Sequence, residues 1–354
     1  MPTRLRLLGA LLIGAILAIL AGAAGARAPT SAASPGSFTL ARSIDGQPST
    51  ALRSNRLARV AERGGAIIAT TGDVVNVFVS DALPAETPEK WAEFIANLTH
   101  GPELSRLTSH IATLDEVRDL CGERALGCYS RNEMVSLGET TIDGLTPEEV
   151  VRHEYGHHVA YHRFNAPWRA IDWGPKNWAS AATVCPRVGR GEAFPGNEGG
   201  RYSQNPGEAW AEVYRLMDER KVGITTATWQ IIAPSFFPDE AALLAAERDV
   251  LQPWTVNSVS KHTRTFGKKT KRVWLIPLQT PLDGDLALTA TLPKGGLHEV
   301  ALVSANRSTV IRRAQWTGQR AKRITTSVCG QRSLFVRVTQ GGALGRVTLT
   351  VSTP

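Results

Sequence analysis

The stretch that decides how this chain is interpreted runs from Val151 to Val159 and reads VRHEYGHHV. On a helix, His153 and His157 lie one turn apart on the same face, where two imidazoles can bind one metal ion. Glu154 lies about 100° further around the helix, so its carboxylate reaches a water molecule beside the metal instead of the metal itself. The H-E-x-x-H pattern therefore predicts a zinc site in which Glu154 is the general base.

The residues before this motif predict a well-defined helix start. Thr146 is a suitable N-cap, Pro147 fits the first helical position, and Glu149 stands where a capping box requires an acidic residue. The helix is expected to end before residues 165–167, which read Asn-Ala-Pro. Two histidines one turn apart also occur on ordinary exposed helices, but this context favours the zinc interpretation.

A catalytic zinc site needs three protein ligands and one open position, so a third ligand is expected elsewhere. Metzincin-type enzymes supply a histidine six residues after the second ligand, with a glycine between them. Here Arg163 stands at the histidine position, Ala160 stands at the glycine position, and His162 is one residue away from the required place. The sequence does not fit that pattern.

A second helix start further along the chain supplies a better candidate. Asn205 can cap this helix, Pro206 suits its first position, and Glu208 then projects from its first turn. Glu212 lies one turn further along the same face. The pair fits a metal ligand and a second carboxylate that orients a ligating histidine. The alternative is that Glu208 only completes a capping box.

The combined pattern resembles the gluzincin branch of zinc metallopeptidases, the thermolysin-like clan, over about residues 70–220. The residues that carry this resemblance are His153, Glu154, His157, Glu208 and Glu212. The resemblance implies a zincin-like fold, Zn²⁺ held by His153, His157 and Glu208, and hydrolysis of peptide bonds by a zinc-activated water with Glu154 as general base. Glu212 is expected to support the first histidine. The gap between His157 and Glu208 is longer than in thermolysin itself, which indicates an insertion.

The same family uses a tyrosine or histidine near the metal as an oxyanion donor. Tyr202, six residues before Glu208, is the candidate here, and a packed aromatic side chain is the alternative. His158 faces another side of the first helix, so we expect it to be structural. The nitrogen and oxygen ligands would also accept divalent ions other than zinc.

The N-terminus predicts export. Two arginines precede a run without charge from Leu7 to Ala26, and small residues end that run, so residues 1–26 are interpreted as a secretory signal peptide. A retained membrane anchor is the alternative, because about 20 apolar residues can span a bilayer. Residues 27–65 are rich in Ala, Ser, Pro, Thr and Arg and are expected to form a flexible linker or pro-like segment.

Residues 66–254 are predicted to form the catalytic domain. Residues 74–79 have the composition of a strand, and Thr87 with Pro88 marks a helix start. Residues 132–138 alternate like an edge strand just before the zinc helix. In the zincin fold that the resemblance implies, a strand in this place pairs with an extended peptide substrate, which is physically reasonable because edge strands offer unpaired backbone groups. An ordinary sheet strand is the alternative.

The four cysteines fit an exported protein. Cys121 and Cys128 bracket a short loop, and we expect them to form a disulfide in an oxidising compartment. Cys185 and Cys329 remain and can pair with each other, although spacing alone does not establish that pairing.

Residues 255–354 change in character to short, β-rich segments separated by Gly, Pro, Asp or Asn, which predicts an antiparallel β-sandwich. The segments are 273–276, 286–290, 300–303, 334–338 and 347–351. The pattern around Asp283 and Asp285 and the closing strands resembles the pre-peptidase C-terminal domains of secreted bacterial peptidases. The expected fold class is therefore α+β, with a zincin-like domain followed by an all-β sandwich.

Charge divides the chain at the same place. Residues 255–354 contain 16 Lys or Arg and three Asp or Glu, a net charge of +13, and the whole chain has a net charge of +8. A strongly basic module favours anionic partners, here an anionic cell-surface polymer, and no nucleic-acid-binding motif accompanies it. A basic but merely solvated domain is the alternative.

These observations predict a secreted or cell-surface zinc metallopeptidase that acts on proteins or peptides. Two other functions stay open: a zinc hydrolase acting on cell-wall peptides or amides, and a non-catalytic surface-binding protein that acts through its basic sandwich. The presence of Glu154 argues against the second, because a purely structural metal site has no use for a general base.

Overall fold

The structure is a computed structural model that describes residues 60–140, 144–226, 229, 231–317 and 321–354. The predicted signal peptide and most of the predicted linker lie outside the described residues. No helix among the described residues is both long and apolar enough to cross a membrane.

A five-stranded mixed sheet forms the first half of the molecule, in the order β1-β2-β3-β5-β4. Its strands are β1 (Glu62–Ile68), β2 (Val74–Ser80), β3 (Thr108–Ala112), β4 (Gly127–Ser130) and β5 (Glu133–Leu137). Strands β2, β3 and β5 run parallel, and the two outer strands, β1 and β4, pair antiparallel with their neighbours. The predicted strand at 74–79 is confirmed as β2, while β1 begins before the predicted domain start at residue 66.

Eight helices accompany this sheet within the described residues. They are α1 (Pro88–Ala96), α2 (Leu114–Cys121), α3 (Pro147–Tyr161), α4 (Ala170–Trp173), α5 (Lys176–Ala181), α6 (Val184–Gly189), α7 (Pro206–Lys221) and α8 (Glu240–Leu251). The predicted start of α1 is confirmed, because the Thr87 side chain accepts a hydrogen bond from the Lys90 amide. A short hairpin of β6 (Phe164–Asn165) and β7 (Trp168–Arg169) follows α3.

The prediction that residues 132–138 form an edge strand is wrong. Strand β5 lies inside the sheet, between β3 and β4, and β4 occupies the edge. The Cys121–Cys128 disulfide joins the end of α2 to the start of β4. Strand β4 has only four residues, too few for a recognisable alternation of apolar and polar side chains. The sequence therefore does not indicate that another strand pairs with β5 on that side.

The second half of the molecule is an eight-stranded antiparallel sandwich, which confirms the predicted sandwich and the α+β class. Its strands are β8 (Ser258–Phe266), β9 (Val273–Gln279), β10 (Gly284–Thr291), β11 (Leu297–Ser304), β12 (Val310–Thr317), β13 (Lys322–Val328), β14 (Ser333–Thr339) and β15 (Gly345–Thr353). One sheet has the order β13-β10-β15-β8 and the other the order β12-β11-β14-β9, which is the connectivity of a jelly roll. Inward side chains from both sheets form one apolar core.

Three of these strands, β8, β12 and β13, were not anticipated from the sequence. Most side chains of β8 and β12 are exposed, so neither strand shows the alternation of apolar and polar residues that identifies a half-buried strand. Strand β12 carries Arg312 and Arg313 in its centre.

The two halves are joined covalently and by polar contacts. Cys185, in α6, is bonded to Cys329, which confirms that this pair forms a disulfide. The Arg332 guanidinium forms an ion pair with the Asp283 carboxylate at 2.5 Å and donates to the Ser180 carbonyl. The Asp283 amide in turn donates to the Ser180 hydroxyl. The predicted domain boundary at residue 255 falls between α8 and β8, and the independence of the two domains stays a prediction.

Candidate metal centre

Two helices present all the candidate ligands, and local sequence sets where each helix begins. Thr146 and Glu149 form a complete capping box at the start of α3, with Pro147 in the first turn. The Asn205 side chain accepts a hydrogen bond from the Gly207 amide at the start of α7. Both starts agree with the sequence predictions.

The two helices pack closely because Gly156 has no side chain. A Cβ atom at this position would lie 2.8 Å from the Ala211 Cα, closer than Cβ atoms approach other atoms in proteins. The Trp210 indole N–H donates to the Gly156 carbonyl at 2.7 Å, which fixes the crossing. The histidines of α3 therefore face the carboxylates of α7.

The three predicted metal ligands converge on one point. His153 Nε2 lies 3.3 Å from His157 Nε2, and Glu208 Oε2 lies 3.3 Å from His153 Nε2 and 3.5 Å from His157 Nε2. All three side chains are buried, with at most 4% of their surface exposed. This His153, His157 and Glu208 group could hold a metal ion. Glu208 does not complete a capping box, because its carboxylate contacts the two histidines instead.

Glu212 orients the first histidine. Its Oε1 accepts a hydrogen bond from His153 Nδ1 at 2.9 Å, which leaves the Nε2 lone pair of His153 directed toward the other ligands. Arg215 donates to both oxygens of Glu212, at 3.2 and 2.8 Å, and also binds Glu219. A buried chain of charged groups therefore supports His153 from behind.

Glu154 is buried beside the ligands without using its carboxylate for structure. Neither carboxylate oxygen has a hydrogen-bond partner within the part of the chain that the structure describes, and the residue is fully buried. Gly127, the first residue of β4, packs against the Glu154 carboxylate, and a Cβ at this position would collide with it. A buried carboxylate without a partner is costly, so its retention points to a chemical role.

The electrostatics of the cluster follow from burial and close pairing. Burial opposes the charged form of His153, yet hydrogen bonds to Glu208 and Glu212 raise its pKa to about 10. Burial raises the pKa of Glu154 well above its ordinary value, with His153 opposing the shift and Glu208 adding to it. Burial is outweighed at Glu208 by the two histidines, which hold its pKa well below the ordinary value. At Glu212, burial is outweighed by Arg215 and His153, which lower the pKa to about 2. The cluster thus stabilises positive charge at its centre.

Comparison with known proteins gives no family for this chain. No protein-family model matches it, and no curated protein matches it. Among solved structures, the Yersinia pseudotuberculosis-derived mitogen is 10% identical, covers 28% of this chain and 88% of its own, and has a TM-score of 0.22. PirA is 10% identical, with coverages of 26% and 92% and a TM-score of 0.21. PliG, a periplasmic inhibitor of g-type lysozyme from Aeromonas hydrophila, is 12% identical, with coverages of 27% and 85% and a TM-score of 0.20. Similarity at this level carries no functional argument.

Tyr202 reaches the cluster from a short 3₁₀ helix, Tyr202–Gln204. Its hydroxyl donates to Glu208 Oε2 at 2.6 Å. The predicted oxyanion donor therefore lies in direct contact with a candidate metal ligand, and it is more than a packed aromatic side chain.

Glu198 is a site residue that the sequence did not indicate. Its Oε1 accepts a hydrogen bond from the Asn205 amide nitrogen at 2.6 Å, and burial together with nearby Glu208 raises the pKa of Glu198 to about 9. It lies in a glycine-rich loop without secondary structure. No local pattern marks such a residue, because only tertiary packing brings it to Glu208.

His158 has structural contacts, as predicted. Its Nδ1 lies 3.0 Å from the Tyr129 hydroxyl, and its Nε2 lies 2.9 Å from the Glu103 carbonyl. Burial lowers the pKa of His158 to about 4, so the ring is neutral at physiological pH. It takes no part in the ligand cluster.

The residues present fit a bound divalent cation. Two imidazole nitrogens and one carboxylate oxygen are the donor set of a catalytic zinc site with an open position, and the buried Glu154 carboxylate lies beside them. The donor set does not identify the metal, because the same atoms bind other divalent first-row ions.

Proposed function

We propose that this protein is a zinc-dependent hydrolase of peptide bonds, with a zincin-like catalytic domain. The observation that carries the proposal is the buried Glu154 carboxylate, which has no partner in the described structure and adjoins three converging metal-ligand side chains. A structural metal site needs only the ligands. A carboxylate kept unpaired beside them is what general-base catalysis needs.

In this proposal His153, His157 and Glu208 hold Zn²⁺. The bound ion would act as a Lewis acid on the scissile carbonyl and lower the pKa of a coordinated water. Glu212 keeps the Nδ1 proton of His153 in place through the 2.9 Å hydrogen bond, and Arg215 keeps Glu212 ionised. This arrangement presents the Nε2 lone pair of His153 to the metal.

Glu154 is proposed to accept the proton of the attacking water and to deliver it to the leaving amine. Burial favours the protonated form of this carboxylate, which makes it a competent base in its ionised state and a competent acid once protonated. Gly127 is proposed to preserve the space that Glu154 occupies, because any side chain there would displace the carboxylate.

Strand β4 supports a peptide as the substrate. It is one of the two outer strands of the sheet, and its first residue, Gly127, packs against Glu154. An extended peptide can pair with such an edge through its backbone, which would place its scissile bond near the general base. The edge-strand role that the sequence assigned to β5 is therefore proposed for β4.

Export is proposed as well. The described residues contain two disulfides and no free cysteine, and disulfides persist mainly in oxidising compartments. The predicted signal peptide would deliver the chain to such a compartment.

The test combines metal content with activity on the same samples. Elemental analysis and casein hydrolysis are measured for the wild-type protein, Glu154→Gln, Glu208→Ala and the control Glu148→Gln, which lies in the first turn of α3. We expect one zinc per chain in the wild type and in the control Glu148→Gln, with equal activity in both. Glu154→Gln should retain zinc but lose activity at least roughly 100-fold. Glu208→Ala should bind zinc more weakly.

Activity that survives in Glu154→Gln would contradict the mechanism. Full zinc occupancy in Glu208→Ala would show that the third ligand is wrong. Cross-linked cell-wall peptides are assayed beside casein, and hydrolysis of these alone would replace the general peptidase with the narrower cell-wall hydrolase.

A further inference from the structure

The jelly roll has two ends with different surroundings. The near end carries the loops at 280–283, 305–309 and 329–332, and it contacts the first half of the molecule through Asp283, Cys329 and Arg332. The far end carries the loops at 267–272, 292–296 and 340–344 and the described part of the loop before Lys322. Strand registers place these loops together, because residues 266, 291 and 322 all lie at the same end of their sheet.

The far end is densely basic. Its cationic residues are Lys268, Lys269, Lys271, Arg272, Lys294, Lys322, Arg323 and Arg346. All eight are exposed, and within the described residues none of them forms an ion pair. Their charges therefore act outward on whatever lies opposite this end.

Within the described residues, no acidic side chain forms an ion pair with these eight cations. Of the three acidic residues in the sandwich, Asp283 and Asp285 lie at the near end. The third, Glu299, lies two residues from the far-end start of β11, and Arg337 and Gln315 donate to its carboxylate at 3.1 and 3.0 Å. Half of the sixteen basic residues of the sandwich lie at the far end, and both aspartates lie at the near end, so the net positive charge is higher at the far end.

Exposed apolar side chains lie among the same cations. Val273 is 43% exposed, Leu297 is 52% exposed and Leu344 is 46% exposed. Val273 and Leu297 begin β9 and β11 at the far end, and Leu344 lies in the loop before β15. Such side chains gain nothing from a purely ionic partner, but they gain free energy by entering hydrocarbon.

We propose that the far end of the jelly roll binds the surface of an anionic lipid bilayer. Clustered Lys and Arg are attracted to anionic head groups, and adjacent apolar side chains enter the interfacial region. An anionic polymer, which the composition alone also fits, leaves the apolar residues unexplained. Nucleic acid is disfavoured because Trp274 and Trp316, the tryptophans near this end, pack against the sandwich core instead of offering a stacking surface.

This inference does not depend on the proposed hydrolase activity. The strands between the two ends are seven to nine residues long, which separates the ends by roughly 25 Å. Bound at its far end, the jelly roll would therefore keep its near end, which adjoins the first half of the protein, away from the bilayer.

Vesicle co-sedimentation tests the proposal. The chain from residue 27 is used, because the apolar run at 7–26 would itself insert into lipid. Vesicles contain phosphatidylcholine alone or an equal mixture with phosphatidylglycerol. We expect binding to the mixed vesicles that weakens with salt, and a loss on the order of 100-fold in the triple variant Lys268→Gln, Lys269→Gln and Lys271→Gln.

A control of equal charge locates the effect. The triple variant Lys261→Gln, Arg312→Gln and Arg313→Gln removes three exposed cations that lie away from the far end. We expect it to lose less than about tenfold in binding, because these residues sit further than a Debye length from a bilayer at the far end. An equal loss in the two variants would overturn the assignment to this surface.

The apolar residues separate a bilayer from a polymer. Leu297→Ser with Leu344→Ser should reduce vesicle binding roughly tenfold, while the near-end control Val256→Ser with Val259→Ser should not change it. Absence of binding to anionic vesicles at low ionic strength would refute the proposal. Unchanged binding in the Leu297 and Leu344 variant, together with equal affinity for soluble polyphosphate, would identify a polymer site instead.

Discussion

Both halves of this protein have an apolar core, but the contact between α3 and α7 and the interior of the jelly roll bury different kinds of side chain. The contact between α3 and α7 is filled with ionisable groups, namely Arg152, His153, Glu154, His157, Glu208, Glu212, Arg215, Asp218 and Glu219, each less than 9% exposed. The interior of the jelly roll is mainly aliphatic, and the buried ionisable side chains in its described part are His298 and, at the near end, Asp283.

Burying ionic groups costs desolvation free energy, and folding alone does not require the first half to bury so many of them. Buried ionic groups replaced by well-packed apolar residues are often neutral or stabilising, so the network between α3 and α7 is a poor choice if stability were its only role. The apolar cores of both halves show that this chain can fold around hydrophobic side chains without such a network. The buried charges are therefore best explained by a site that needs them.

The largest expected effect concerns Arg215, which lies at the centre of the buried network. Replacing it with Met leaves Glu212 and Glu219 without their shared cation, and breaking a buried pair from one side costs about 3–5 kcal/mol. We expect Arg215→Met to lower the free energy of unfolding by that amount in urea titrations. Metal affinity should also fall by roughly 10- to 100-fold, because Glu212 no longer holds His153 firmly.

Arg220 supplies the matched control. Like Arg215, Arg220 lies in α7, and it forms an ion pair at 3.0 Å with Glu240 at the start of α8. Both side chains of this pair are partly exposed. Arg220→Met should change the free energy of unfolding by less than about 1 kcal/mol and leave metal affinity unaltered. If the two variants were equally destabilised, burial would not be what distinguishes the network.

The next effect tests the apolar half. Leu288 is buried in the jelly-roll core, so Leu288→Ala should lower the free energy of unfolding by about 3 kcal/mol through lost transfer energy and a residual cavity. We expect metal content and casein hydrolysis per folded molecule to stay unchanged. A parallel loss of metal would mean that the two halves are coupled more strongly than their separate cores suggest.

The sequence predicted those parts of the site that depend on local signals. Thr146 and Asn205 mark helix starts through capping, and helical spacing then places His153, His157 and Glu208 on facing surfaces. Glu198 was not predicted because it lies in a loop without regular secondary structure, where no local spacing indicates a site residue. The edge position of β4 was not predicted for a related reason, because strand order depends on long-range pairing and not on the sequence of one strand.

In the sandwich, too, the sequence predicted only those strands that have a local pattern. Strands with alternating inward residues, such as β10 and β14, were recognised because alternation is a local pattern. Strand β8 was missed because its outward and inward residues are almost equally polar. Strand β8 is defined by its pairing with β15 along nine residues, and the sequence of β8 alone does not indicate that pairing.

Lys176 connects the two halves and gives a prediction in pH. It is fully buried in α5, and its ammonium donates to the Ala166 and Asp283 carbonyls. Burial lowers its pKa from 10.5 to about 8, against the opposing effect of nearby aspartates. The unfolded chain therefore holds this proton over a range in which the folded chain releases it.

Stability should accordingly rise with pH between about 8 and 10.5, by up to about 3 kcal/mol, and the penalty should be fully present below pH 8. Lys176→Met should remove this component of the pH dependence in chemical unfolding at fixed temperature. An unchanged slope in the variant would show that Lys176 is not the group responsible.

The smallest expected effect concerns Tyr202, and it distinguishes two roles for one hydroxyl. The 2.6 Å hydrogen bond to Glu208 allows Tyr202 either to position a metal ligand or to donate to the oxyanion that forms during hydrolysis. In the second role Tyr202→Phe should lower kcat about 10- to 100-fold with KM and zinc affinity nearly unchanged, because the lost interaction exists only in the transition state. In the first role zinc affinity should fall and added zinc should restore the rate. Steady-state kinetics across a zinc titration separates the two outcomes, and Tyr161→Phe, an exposed tyrosine at the end of α3, serves as the control.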